Sequence, residues 1–212
     1  MKKFKALLLV AFMALNAFAL SEGKEYEVLK TPIANEQNSV IEVFSFSCIA
    51  CYTHHKFNTL AKIKEKLPNL NTKLYPVKGG QFSEEFAQLY AYALAKDTTN
   101  KKNILAHDSL THKLSDAYYT ALFERKQNYA NSASFSELGL KTLGISKAEL
   151  ERFLASAEGQ KVYNEFDKSY GALSQYGGTP TFIVGGKYII KMAEIKGLDE
   201  LIKVVDELIK QK

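Results

Sequence analysis

From Ser39 to Ser47 the chain reads SVIEVFSFS, β-branched and aromatic, and mostly apolar apart from Glu42. A run of this kind predicts a central strand buried on both faces. At Cys48 the pattern changes to a helical one that lasts to Leu67. Phe57, Leu60, Ile63 and Leu67 fall near one face, Lys62, Lys64 and Lys66 occupy the last turns where cations suit the helix dipole, and Pro68 ends the helix. LNTKLYPV then returns to strand character, so the opening reads as strand, helix, strand with a right-handed crossover. A shorter strand, YEVLKTPI, precedes them and stops at Pro32.

After a break at KGGQ, Lys78 to Gln81, the periodicity is almost wholly helical. Phe86, Leu89, Tyr90, Ala93 and Leu94 mark one amphipathic helix, and Asn103 to Gln127 carries one or two more. Ser134 with Glu137, and Ser146 with Glu149, have the spacing of capping boxes, and a long helix is expected from Gly159 to Tyr176. Strand signals resume at TPTFIVGGKYIIK, where Gly185-Gly186 joins Thr181–Val184 to Lys187–Lys191 as a hairpin. Leu198, Leu201, Ile202, Val205, Leu208 and Ile209 form the apolar stripe of a last helix. The order βαβ, helical block, ββα predicts an α/β protein: a small mixed sheet flanked by helices, interrupted by an all-helical insertion.

The N-terminus adds a compartment. Lys2, Lys3 and Lys5 precede an apolar run from Ala6 to Leu15 and small residues at Ala17 and Ala19. This is the layout of a cleavable secretory signal peptide over residues 1–19. The apolar core is shorter than the roughly 20 residues of a spanning helix, which disfavours a retained anchor. The remaining chain divides into 20–78 and 159–212, two parts of one domain, around the insertion at 79–158. Removing the leader lowers the net charge from +5 to about +2. That bias is too weak to point to nucleic acid or anionic membranes.

Export places Cys48 and Cys51, the two cysteines of the chain, where disulfides form and persist. A bridge between residues three apart closes almost no loop and adds little stability, so the spacing favours chemistry over structure. A C-x-x-C pair delivered by a strand to the head of a helix in a βαβ unit is a thioredoxin-like redox motif. At a helix start, unpaired N–H groups and the helix dipole point at the first sulfur and lower its pKa, while Cys51 lies one turn in and buried. His54 and His55 keep a second reading open, a Cys2His2 metal set, although all four ligands would come from about two helical turns. His107 and His112 carry no comparable signal. Pro180, behind Gly177-Gly178, stands where a proline is tolerated at the start of a strand.

VIEVFSFSCIACY, the helical block and GGTPTFIVGGKY together resemble the DsbA branch of the thioredoxin superfamily, the DsbA-like (DsbA/DsbL) periplasmic thiol:disulfide oxidoreductases. The resemblance covers essentially the whole mature chain. It implies a thioredoxin fold with an inserted helical domain, and a periplasmic oxidase that donates disulfides to reduced exported proteins. By the same resemblance Cys48 is the nucleophile, Cys51 the resolving cysteine, and Pro180 the cis-proline. The Thr179 backbone would pair with an extended substrate peptide. Glu42 matches a buried acid that helps move protons to and from the inner cysteine, and Lys73 that acid's cationic partner. The resemblance further implies a monomer whose redox-active disulfide needs no metal or organic cofactor, re-oxidised by a quinone-linked inner-membrane partner of the DsbB or DsbI type.

Two departures bear on this. Ile49-Ala50 stands in place of the Pro-His dipeptide, removing a histidine that stabilises the thiolate; a thiol acidified less than in the Pro-His enzymes is expected. His55 stands where the family often has a second acid, which makes it a candidate proton relay. A reductase or isomerase of the same fold, and a peptide- or metal-binding module without turnover, are the rival readings.

Overall fold

The computed structural model describes residues 20–211, so the expected leader, residues 1–19, lies outside the described residues. The apolar run at Ser39 becomes strand β2 (Ser39–Phe44), every residue of which is buried. It sits inside a five-stranded mixed sheet with β1 (Tyr26–Val28), β3 (Asn71–Pro76), β4 (Thr181–Val184) and β5 (Tyr188–Ile190), in the order β1-β5-β4-β2-β3. The strand β2 is parallel to β3 and antiparallel to β4, as a βαβ unit followed by a ββ hairpin requires. Gly185 and Gly186 both have positive φ, 60° and 64°, and the Lys187 N–H returns to the Val184 carbonyl. Val184 pairs with Tyr188, however, so the hairpin turn holds three residues and Lys187 belongs to it rather than to the strand.

Each face of the sheet is covered. On one side α2 (Thr59–Lys66) and α9 (Leu198–Lys210) bury Leu60, Ile63, Leu201, Val204 and Val205 against Val40, Phe182 and Val184. On the other, Ile41, Val43 and Ile183 join the aromatic core of the insertion, which includes Phe86, Tyr90, Tyr118 and Phe135. That insertion comprises α3 (Ser83–Thr99), α4 (Leu110–Tyr119) continued by a π-helical turn to Glu124, α5 (Ser132–Leu143) and α6 (Lys147–Ala155). Helix α7 (Ala157–Glu165) packs on α3 and α6, so a boundary at 158/159 falls inside it.

Three local expectations change. The helix read from Cys48 to Leu67 is two helices, α1 (Ile49–Phe57) and α2, because Asn58 adopts a left-handed conformation (φ 48°) that asparagine tolerates. Its side-chain amide donates to the Leu105 carbonyl at 3.1 Å. The break turns Phe57 away from Leu60 and Ile63 and leaves it 62% exposed. The cap of α5 is Asn131, with Ser134 as its reciprocal N3 partner, rather than Ser134 with Glu137. The Ser146 hydroxyl does accept from the Glu149 N–H. The long helix from Gly159 divides into α7, a 3-10 turn at Phe166–Ser169 and α8 (Tyr170–Tyr176), where the Ser169 hydroxyl donates to the Phe166 carbonyl and competes with helical bonding.

A fourth change concerns Lys73, expected beside Glu42. The parallel register sets Leu74 opposite Glu42 and Lys73 opposite Ile41. Neighbours directly opposite share a face, so Lys73 lies across the sheet from Glu42. It pairs instead with Glu36, 2% exposed, and approaches Glu165 at 3.7 Å. Lys73→Met should therefore act on stability, leaving the Glu36 carboxylate buried and unpaired at a cost of about 2 kcal/mol or more. Urea unfolding with an unchanged midpoint would show that this pair is not needed.

Candidate active site

The strand β2 delivers the chain through Ser45, Phe46 and Ser47 to Cys48, whose backbone is extended (φ −98°, ψ 117°) and whose sulfur caps α1. The Cys51 N–H donates to Cys48 Sγ at 3.2 Å, so sulfur takes the place that Ser, Thr or Asp oxygens usually hold. The connecting loop is fixed from the insertion side: Tyr119 donates its hydroxyl to the Ser45 carbonyl, and its ring stacks on Tyr52 of α1 at 5.2 Å. Both cysteines are free thiols; Cys48 is half-buried and Cys51 is 1% exposed.

The two sulfurs differ electrostatically. The Cys48 thiol is pulled down from 9.0 to about 5, first by the hydrogen bond from the Cys51 thiol. The Thr179 side chain and the N–H groups of Cys51 and Ala50 act in the same direction, against the opposing effect of burial. Burial pushes the Cys51 thiol far up, reinforced by its role as donor to Cys48. The first turn of α1 holds no acid that would oppose an anion there. Ile49, 61% exposed, and Ala50 bring no side-chain donor. The thiolate is therefore held by the partner cysteine, Thr179 and the helix backbone.

Glu42 projects from β2 beneath this pair and is 5% exposed. Burial, then the negative charge of Cys48, raises its carboxyl to about 8, and it has no ion-pair partner among the described residues. It lines a cavity of about 40 Å³ together with Cys51, His55, His112, Ser115 and Tyr119.

Thr179 and Pro180 come to the cysteines from the other half of the domain. Their peptide bond is cis, and the Thr179 carbonyl accepts from the Cys48 thiol at 3.1 Å. A larger groove, about 650 Å³, runs from Pro180 along α1, lined by Ala50, His54, Phe57, Met192 and Leu198. Phe57 belongs to this groove and not to the core, a role its helical spacing concealed.

The adjacent histidines separate. His54 lies 3.1 Å from the Thr59 hydroxyl and borders the groove. His55 turns toward the insertion, where its ring stacks on His112 at 4.2 Å and its Nε2 is 3.4 Å from Asp116 Oδ1. His107 Nδ1 in turn lies 3.0 Å from His112 Nε2. Burial lowers the pKa of His54 and His55, and burial with the charges of His55 and His107 takes His112 to about 4. Among the described residues no three His, Cys, Asp or Glu side chains are grouped as metal ligands would be. The sequence contained one local clue to this cluster, the four-residue spacing of His112 and Asp116; its contact with His55 is purely tertiary.

An absorbance titration of the reduced protein at the thiolate band should show one cysteine ionising with a midpoint near 5. The signal should disappear in Cys48→Ser and move upward in Cys51→Ala, which removes the largest stabilising donor. A midpoint at the free-thiol value near 8.5 would contradict this geometry.

Comparisons with known proteins place the chain in a family. A family model described as a DSBA-like thioredoxin domain matches residues 60–208. The thiol:disulfide interchange protein DsbL of Lelliottia amnigena is 30% identical over 212 residues, covering 97% of this chain and 95% of that protein. The thiol:disulfide interchange protein DsbA of Pseudomonas aeruginosa is 24% identical over 205 residues, covering 94% and 89%. The crystal structure of Salmonella enterica serovar Typhimurium DsbL superposes with a TM-score of 0.84 at 28% identity, over 92% of this chain and all of that one. The chain belongs to the DsbA-like family with a thioredoxin fold, and it is a thiol:disulfide oxidoreductase.

Proposed function

We propose that the protein introduces disulfide bonds into exported proteins in the periplasm through the Cys48–Cys51 pair, as a monomer without metal or organic cofactor. The observation that carries this reading is the difference between the sulfurs: an accessible Cys48 held as thiolate near neutrality beside a buried Cys51 held as thiol. A stabilised Cys48 thiolate favours the reduced protein, so the oxidised protein readily gives its disulfide away.

In the oxidised state a substrate thiolate attacks Cys48 Sγ, the Cys48–Cys51 bond breaks, and Cys51 leaves with the electron pair. Its high pKa makes it take a proton, for which the protonated Glu42 carboxyl is the donor at hand. A second substrate thiolate then attacks the substrate sulfur of the mixed disulfide and releases Cys48 as thiolate, its stable form. The substrate loses two electrons to the enzyme, which an inner-membrane oxidase of the DsbB or DsbI type removes. Extended substrate pairs with the backbone at Thr179, whose carbonyl already faces Cys48, and its flanking apolar residues fit the groove at Phe57 and Met192.

Cys51→Ala expressed with its leader should accumulate mixed disulfides through Cys48 with exported proteins, identified by mass spectrometry. Wild-type protein acid-trapped and alkylated should be mostly disulfide. Recovery mostly as dithiol would favour a reductase, and tight stoichiometric zinc without exchange activity would favour a binding module. Phe57→Ser should lower kcat/KM for peptide thiols by about three- to tenfold, the effect of removing one buried apolar contact, while leaving the reaction with small dithiols unchanged.

A further inference from the structure

The chain has four histidines, and three of them meet at the junction of α1 with the insertion. Exposure rises along one line: Glu42 and Cys51 are buried, His55 and His112 partly buried, and His107 and Asp116 exposed. The small cavity joins the buried end of that line to His55 and His112. Its 40 Å³ exceeds the roughly 10–15 Å³ needed to hold a water, and the Ser115 and Tyr119 side chains offer polar contacts beside the carboxyl.

We propose that His55, His112 and His107 form a proton port, carrying protons between solvent and the buried Glu42–Cys51 pair across water in this cavity. The inference rests on the disulfide-exchange reading above. It adds the route by which the buried acid is reloaded, a route the Glu42 environment demands because Lys73 lies on the other face of the sheet.

A neutral imidazole has one N–H and one bare nitrogen, so it passes a proton by accepting at one atom and releasing at the other. The His107–His112 contact has this form, since two protonated rings have no acceptor between them. Burial keeps His55 and His112 in the neutral state at pH 7. The groups facing His55 are Cys51 on its own helix, Asp116, His112 and Tyr119 on α4, and His107 before it. Asp116 favours the transient imidazolium at His55.

The balance is simple. On substrate oxidation the Cys51 thiolate takes the proton of Glu42, and the Glu42 carboxylate takes one from cavity water. That water is restored by an imidazole N–H, and the ring is reprotonated from solvent at His107. During re-oxidation Cys51 gives up its proton by the same path in reverse, with no further oxidant or reductant. These histidines are positioning residues, acting on the sulfur through Glu42 and water.

The test is the double variant His55→Gln/His112→Gln, compared with wild type by quenched alkylation during reduction of the oxidised protein by dithiothreitol, between pH 5.5 and 8.5. The rate should fall by at least about tenfold, as for loss of a proton-transfer group. Free imidazole should restore it, and the Cys48 thiolate midpoint should stay at its wild-type value. Wild-type rates at every pH, or a slowing that imidazole does not relieve, would overturn the port while leaving the oxidoreductase intact. Failure of the wild-type protein to react would instead overturn the functional reading. Should the double variant not fold, His112→Gln alone carries the same two criteria.

Discussion

Everything at this site depends on a sulfur acting as a helix cap. Cys48 occupies a position where the chain leaves β2 extended and enters α1, so that N–H groups with no helical partner face its Sγ. A capping oxygen would only stabilise the helix. A capping sulfur also receives a lower pKa, and with it the reactivity of a leaving group and nucleophile. The rest of the molecule holds that junction in place. The strand β2 is buried along its whole length, Tyr119 pins Ser45 from the insertion, and Tyr52 stacks α1 against the same aromatic surface.

The second constraint is burial of acid beneath the thiolate. Glu42 occupies a strand position that its pattern would give to an apolar residue, and its carboxyl is protonated near neutrality because burial and the Cys48 charge disfavour its ionised form. Sequences that break a local rule tend to do so at functional sites. In the proposed mechanism the violation supplies a proton next to a cysteine that alternates between thiol and leaving group. The small cavity and the histidines around it give that proton a course to solvent, in place of a lysine partner.

Much of this was legible in the sequence because it is local. The apolar run of β2, the glycine pair of the hairpin and the stripe of α9 each follow from a few adjacent residues. Cys48 and Cys51 were recognisable from the same short-range logic. What was not legible depends on distant partners. The αL turn at Asn58 is supported by Leu105, and it alone converts Phe57 from a core residue into a groove residue. The pairing of Lys73 is set by a one-residue difference in register, and its acid, Glu36, lies in a loop without periodicity. His112 gains a role only from its contact with His55, across two elements far apart in the chain.

The fold favours the Cys48 thiolate over the Cys48–Cys51 disulfide, and urea unfolding of the reduced and the oxidised protein measures that preference. Because the folded pKa of Cys48 lies below its unfolded value, the stabilisation is full above the unfolded value near 9 and is lost as pH falls through about 5. The disulfide itself closes a minimal loop and gives little in return; Glu42 is buried in both forms, and the Cys48 charge that adds to its raised pKa in the reduced form offsets only part of the difference. The reduced protein should therefore unfold at higher urea than the oxidised protein at pH 7.5, with the gap narrowing toward pH 4.5. An oxidised form that is the more stable at pH 7.5, or a gap that does not change with pH, would contradict the account.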